Sequence, residues 1–137
     1  MSVQLLLDTN AAIFAVEGTL RPSAASLLTQ KFHAGEAVLL SPITGWELGL
    51  LFSRGRLRAP IRPREYLRRL TTMPGVAMAG LSAEILMDTS FLPGTPPRDP
   101  ADRIVAATAR EHGYTVMTRD AALLAYAREG YLSAVEC

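Results

Sequence analysis

Short apolar runs alternate with helix-patterned segments from one end of this chain to the other, and that order allows few architectures. Residues 3–8, 37–40 and 114–117 read as buried strands, and 76–79 and 134–136 as weaker ones. Helices are expected over 11–16, 23–33, 63–70, 82–91 and 121–129. Two more open at proline: one at Ser41-Pro42 that carries Trp46 to Phe52, and one at Asp99-Pro100 that ends at His112-Gly113. Proline suits the first helical position, where its missing N–H is not needed, and glycine suits the residue past the end. Residues 54–62 and the stretch Pro93-Gly94-Thr95-Pro96-Pro97 must be loops. Strands joined through helices run parallel, so the expected fold class is α/β, with a parallel sheet covered by helices on both faces.

At 137 residues, 49% apolar and 20% charged, the chain suits one folded domain (1–137) with a proper core. Its apolar runs are too short for a bilayer, so no membrane partner is expected, and the N-terminus lacks the marks of a secretion signal. The one cysteine, Cys137, has no partner for an intrachain disulfide, which points to the cytoplasm. Net charge is only +1, yet seven arginines fall between Arg54 and Arg69 with Glu65 the one acid among them. Guanidinium matches phosphate bidentately, so this block is a nucleic-acid candidate. Taken alone, a solvated loop and helix face explains it more simply.

Four acids stand where elements begin or end: Asp8 after Leu5-Leu6-Leu7, Glu47 in Trp46-Glu47-Leu48, Asp102 in Asp99-Pro100-Ala101-Asp102, and Asp120 in Thr118-Arg119-Asp120. In an open α/β sheet, residues just past the strand ends converge on one crevice. Each acid also has a plain structural explanation. Asp8, Asp99 and Asp120 fit as helix N-caps, and Asp102 fits the first helical turn, where the dipole favours negative charge. Thr9 and Asn10 could hold Asp8 or bond the local backbone. Glu47 is harder to explain, because it sits among Trp46, Leu48, Leu50 and Leu51 on a helix expected to be largely buried. Its carboxylate needs an arginine or a metal ion as partner. Four elements each placing an acid at the same kind of position favour a cluster, and clustered carboxylates need cations among them. Oxygen ligands suit Mg²⁺ or Mn²⁺. His33 and His112 read as helix-end residues, and there is no nucleophile elbow, P-loop or dinucleotide fingerprint.

In order and spacing, Leu7-Asp8-Thr9-Asn10, Trp46-Glu47-Leu48, Asp99-Pro100-Ala101-Asp102-Arg103 before Ile104-Val105-Ala106-Ala107-Thr108-Ala109, and Thr118-Arg119-Asp120 form one set. The set resembles PIN-domain proteins, in particular the VapC family of toxin ribonucleases from prokaryotic toxin–antitoxin modules, over essentially the full length. The resemblance implies a PIN-like three-layer α/β/α fold and an acidic quartet of Asp8, Glu47, Asp102 and Asp120 that binds Mg²⁺ or Mn²⁺. It implies supporting roles for Thr9, Asn10 and Thr118, with Asp99 matching an additional acid of one branch. RNA as substrate, a homodimer and a cognate antitoxin as inhibitor are further implications. Ala101 departs from the pattern, since a bulky aromatic is more usual there, and the proline-rich loop before Asp99 is particular to this chain.

The expected activity is therefore metal-dependent endoribonucleolytic hydrolysis, with no covalent enzyme intermediate. Arg64, Arg68, Arg69, Arg103 and Arg119 are the candidates for contacting RNA. Two rivals stand beside it. A phosphotransfer or phosphatase domain would be phosphorylated on Asp8, but no acid follows two residues on and no lysine lies in the second half of the chain. A catalytically inert PIN-like binding module would have no use for four clustered charges. Mean hydropathy is positive at +0.17, and Trp46 to Phe52 is expected to offer apolar surface, part to a second copy and part to an apolar antitoxin helix. Replacing Asp8 or Asp102 by alanine is expected to end cleavage while metal-free stability stays level or rises.

Overall fold

The computed structural model describes residues 3–137. Its strands are β1 (Leu5–Leu7), β2 (Val38–Leu40), β3 (Val76–Met78), β4 (Thr115–Thr118) and β5 (Ser133–Glu136). They form one sheet in the order β3-β2-β1-β4-β5, with every neighbouring pair parallel. The helices among the described residues are α1 (Thr9–Glu17), α2 (Pro22–His33), α3 (Ile43–Ser53), α4 (Pro63–Thr71), α5 (Ala83–Asp88), α6 (Pro100–His112) and α7 (Ala121–Arg128). From β1 the chain moves out through β2 to β3, then returns to the other side of β1 for β4 and β5. All strands end at one edge, and that edge has a switch point between β1 and β4, the place where crevices open in such sheets.

Side chains alternate across each strand, and this sorts the core into two layers. Leu5, Leu7, Val38, Leu40 and Met117 face Ala12 of α1, Leu28 of α2, Leu48 of α3 and Leu70 of α4. Leu6, Leu39 and Val116 face Val105, Ala106 and Ala109 of α6 and Leu123 and Tyr126 of α7. The α/β/α layering expected from the sequence is therefore present. Central β1 is buried on both faces, which is why it can be three leucines in a row.

Several boundaries move for local reasons. The capping carboxylate of Asp8 starts α1 at Thr9, ahead of the expected residue 11. Pro42 is the N-cap of α3 rather than its first residue, while Ser41 Oγ accepts a hydrogen bond from the Ile43 N–H at 3.1 Å. Helix α5 stops at Asp88, short of Phe91.

The expectation that α3 is buried on more than one side needs correction. Only Thr44 and Leu48 are buried, and Trp46 is 52% exposed. Helix α4 takes up much of the apolar surface: Phe52 meets Tyr66 edge-on at 5.5 Å, and Leu51 and Phe52 pack against the α1–α4 side of the core. What remains outward is one ridge that carries Trp46.

The proline-rich loop before α6 is firmly tied to the far end of α7. Tyr126 Oη donates to the Pro93 carbonyl at 2.7 Å, and the Thr95 N–H donates to Glu129 Oε1 at 3.0 Å. Gly94 has φ 68°, and a Cβ there would overlap the Tyr131 ring, so no larger residue fits without a shift. These contacts fix where α6 begins, and with it Asp99 and Asp102. Among the described residues, no helix is long and apolar enough to cross a membrane.

Candidate active site and metal centre

Asp8 leaves β1 at the centre of the strand-end edge and is 5% exposed. Its Oδ1 accepts from the Ala11 N–H at 2.8 Å, capping α1, and its Oδ2 accepts from Thr118 Oγ1 at the end of β4. Thr118 Oγ1 in turn accepts from the Asp120 N–H at 3.0 Å, and Asp120 Oδ2 caps α7 through the Leu123 N–H at 2.9 Å. The two strands flanking the switch point are thus joined through Asp8, the first residue after β1, and Thr118, the last of β4. Asp99 Oδ2 caps α6 by accepting from the Asp102 N–H at 3.0 Å. Three helices consequently aim their partly positive N-termini at one place.

Glu47 reaches this place from α3. Its Oε1 accepts from Thr9 Oγ1 at 2.6 Å, so the partner demanded by the sequence is a hydroxyl and not an arginine. Thr9 Oγ1 also lies 3.0 Å from Thr44 Oγ1. Thr9 has one hydroxyl proton and gives it to Glu47, so Thr44 is the donor in that second bond. Thr44 is 1% exposed and was not singled out from the sequence. The available signal was its position one turn before Glu47 on the same helix, as a hydroxyl facing the sheet.

The PIN domain family model matches residues 5–129. The chain belongs to the PIN-domain family. Over 116 residues it is 29% identical to Ribonuclease VapC22 of Mycobacterium tuberculosis, covering 85% of this chain and 86% of that protein. Its fold is similar to DNA-bound VapBC from Salmonella typhimurium, with TM-score 0.68, 20% identity and 98% of each chain covered. It is similar also to VapBC2 from Rickettsia felis bound to a promoter DNA fragment, with TM-score 0.67, 15% identity and 98% of each chain covered.

In this PIN domain the acids act on one another. Burial, and then the charges of Asp120, Asp99, Glu47 and Asp8, push the Asp102 carboxyl up from 3.8 to about 8. Burial raises Asp8 as well, opposed by the Thr118 and Ala11 hydrogen bonds and assisted by Asp120. Burial raises Glu47, opposed by Thr9 and assisted by Asp8, Asp99 and Asp120. The ion pairs among the described residues lie elsewhere, at Arg21–Glu136, Lys31–Glu36 and Glu65 with Arg68 and Arg69. Among the described residues, then, none of the five acids forms an ion pair with a basic side chain. Among the described residues no three His, Cys, Asp or Glu side chains are arranged as a ready-made metal site. The donor set nonetheless fits a hard divalent cation, being all oxygen, mutually repelling and without an internal counter-ion.

The remaining candidates divide by what they touch. Asn10 is exposed at the start of α1. Arg103 Nη1 donates to the Thr89 carbonyl at 3.0 Å, tying α6 to the end of α5. Arg119 Nη2 donates to the carbonyls of Cys137 at 2.7 Å and Thr19 at 3.0 Å, and its guanidinium lies 3.9 Å over the Phe14 ring. Standing between Thr118 and Asp120, Arg119 thus clamps the β4–α7 turn to the end of α1 and to β5. Arg68 and Arg69 are exposed and both hold Glu65, while Arg64 is exposed and lines an open groove with Arg62, Leu67 and Gly45.

The geometry separates two substitutions that the sequence treated alike. Asp8→Ala removes a cap and strands the Thr118 hydroxyl, and should lower metal-free stability by about 1–2 kcal/mol. Asp102→Asn removes a repelled charge and should raise it. A carboxyl whose pKa is raised by folding favours the native state below its ordinary value and loses that contribution as pH climbs through the folded value. Metal-free thermal melts should therefore fall as pH rises from about 4 towards 8, the window set by Asp102, and Asp102→Asn should flatten the fall. Equal melting losses for both variants at pH 8 would contradict this account of the cluster.

Proposed function

We propose that this PIN domain is a metal-dependent endoribonuclease toxin whose inhibitor is a cognate antitoxin. The observation that carries the reading is the uncompensated group of carboxylates at the switch point of the sheet. The 29% identity to a VapC ribonuclease supports RNA as the substrate class. Asp8, Glu47, Asp102 and Asp120 would hold Mg²⁺ or Mn²⁺, with Asp99 beside them at the α6 cap. Bound there, such an ion lowers the pKa of a water and neutralises charge on the scissile phosphate. The protein's own part is positioning. Asp8 is fixed from two sides by Ala11 and Thr118, and Glu47 is oriented through Thr9 and Thr44. Nothing favours phosphotransfer through Asp8, whose two oxygens are both engaged and whose side chain is 5% exposed. Of the arginines, we assign Arg64, Arg68 and Arg69 to the RNA backbone, and Arg103 and Arg119 to holding the fold around the site.

Two apolar surfaces suit the protein partners better than Trp46 to Phe52 does. A groove of about 260 Å³ between α1, α2 and α4 is lined by Ala12, Val16, Leu28, Phe32 and Met73, of which Val16 is 52% and Phe32 39% exposed. We assign it to an apolar antitoxin segment, because it is apolar, partly open and runs along the helix that Asp8 caps. Helix α5 and the turn after it expose Leu86, Met87 and Phe91, which we assign to a homodimer. Val16→Glu should then weaken antitoxin binding without changing the dimer, and Met87→Glu should do the reverse, as read by light scattering on the separated species. Loss of both associations in either variant would contradict the two-surface assignment.

The reaction itself is tested on a labelled single-stranded RNA. Cleavage should require Mg²⁺ or Mn²⁺, stop with EDTA, and leave 5′-phosphate and 3′-hydroxyl ends, because water is the nucleophile. Products ending in 2′,3′-cyclic phosphate would mean attack by the RNA's own 2′-hydroxyl and would overturn the mechanism.

A further inference from the structure

Helix α3 carries three different surfaces around its circumference. Successive residues turn by about 100°, and the observed contacts follow that turn. Thr44 and Leu48 point into the fold and are buried. Glu47 lies on one flank, bonded to Thr9 beside the acidic cluster. Gly45 lies on the other flank, 3.6 Å from Leu67 by its would-be Cβ, in a groove of about 820 Å³ lined by Arg62, Arg64 and Arg68. Trp46 stands on the ridge between the two flanks, 52% exposed. Gly49, one turn on, leaves open space beside it, since a Cβ there would meet nothing within 4 Å.

Half-exposed tryptophan is unusual on a surface flanked by charge, because the indole keeps much of its large apolar area in water. A protein interface would surround such an anchor with an apolar core. Here one side is a groove that carries Arg62, Arg64 and Arg68 beside Glu65, Leu67 and Thr71, and the other is a group of carboxylates. Arg68 shares Glu65 with Arg69, whereas the ion pairs among the described residues leave Arg62 and Arg64 without a carboxylate. Cations for phosphates beside an open aromatic face is the pairing by which single-stranded nucleic acid is gripped, by backbone charge together with base stacking.

We infer that Trp46 is a stacking platform for one unpaired base of the RNA, next to the scissile phosphate, with Arg62 and Arg64 holding the adjoining backbone. This rests on the ribonuclease reading and adds to it that the substrate must be unpaired where it meets α3.

Trp46 is the only tryptophan of the chain, so its fluorescence reports this position alone. Binding is measured in EDTA, where cleavage is not expected, with a short single-stranded oligoribonucleotide, its duplex, and an abasic strand of equal length. The single strand should quench the fluorescence, while the duplex and the abasic strand should leave it unchanged. By fluorescence anisotropy of the labelled RNA, Trp46→Ala should weaken binding by about 5- to 150-fold, the range that base stacking on an aromatic gives. Trp46→Phe should recover most of that loss. The salt slope should stay as in the wild type for Trp46→Ala and become shallower for Arg62→Gln with Arg64→Gln. Single-strand binding without quenching, or with Trp46→Ala as tight as wild type, would overturn the platform while leaving ribonuclease activity, assayed separately on the labelled RNA, intact. A wild type that neither binds nor cleaves RNA would overturn both. Trp46→Ala weakening only self-association or antitoxin binding would assign the ridge to a protein and likewise overturn the inference.

Discussion

Repulsion between carboxylates brought to one edge of the sheet is the constraint around which this structure is arranged. Removing several like charges from water is tolerable only if something offsets them, and among the described residues no lysine or arginine pairs with these acids. It offers hydrogen-bond donors: the N-termini of α1, α6 and α7, and the hydroxyls of Thr9 and Thr118. Those donors hold Asp8, Glu47, Asp99 and Asp120. Among the described residues Asp102 accepts no such bond, and its raised pKa records its burial and the part of the repulsion that remains. A group held this way is poised for a cation from outside, which connects the local helix caps to the proposed hydrolysis of RNA.

The caps and the site are the same residues, so fold and chemistry cannot be assigned to separate parts of the sequence. Asp8 starts α1, links β1 to β4 through Thr118, and stands at the centre of the cleft. Arg119 binds backbone carbonyls of Thr19 and Cys137 on either side and so fixes the turn that presents Thr118 and Asp120. The loop before α6 serves the same end from farther away, since Tyr126, Glu129 and the close approach of Gly94 to Tyr131 set where Asp99 and Asp102 begin their helix.

Much of this was legible in the sequence, and the reasons are local. Leucine runs bounded by Asp8 and by Ser41-Pro42 mark central strands, and proline after Asp99 marks a helix start. The parallel alternation then brings their ends together, and the PIN-domain match agrees with that order. Asp8, Asp99 and Asp120 each cap a helix, as their positions suggest, and their charges also act on Asp102, which single positions could not reveal. The sequence was less informative where side chains choose among tertiary partners. Thr44 carries no motif of its own, although its hydroxyl supports Thr9. Arg103 and Arg119 read as free cations, although carbonyls occupy them. The apolar content of α3 read as burial, because composition does not show that α4 covers one flank and leaves Trp46 on an open ridge.

The central claim is that a divalent cation supplies the charge balance the protein lacks. Calorimetric titration of Mg²⁺ or Mn²⁺ at pH 7, repeated in buffers of different ionisation enthalpy, measures both the binding and the protons it releases. With the Asp102 carboxyl at about 8 in the metal-free protein, binding should displace close to one proton per site, and Asp102→Asn should bind more weakly with that release gone. Binding with no proton release in the wild type, or no binding at millimolar metal, would contradict the account.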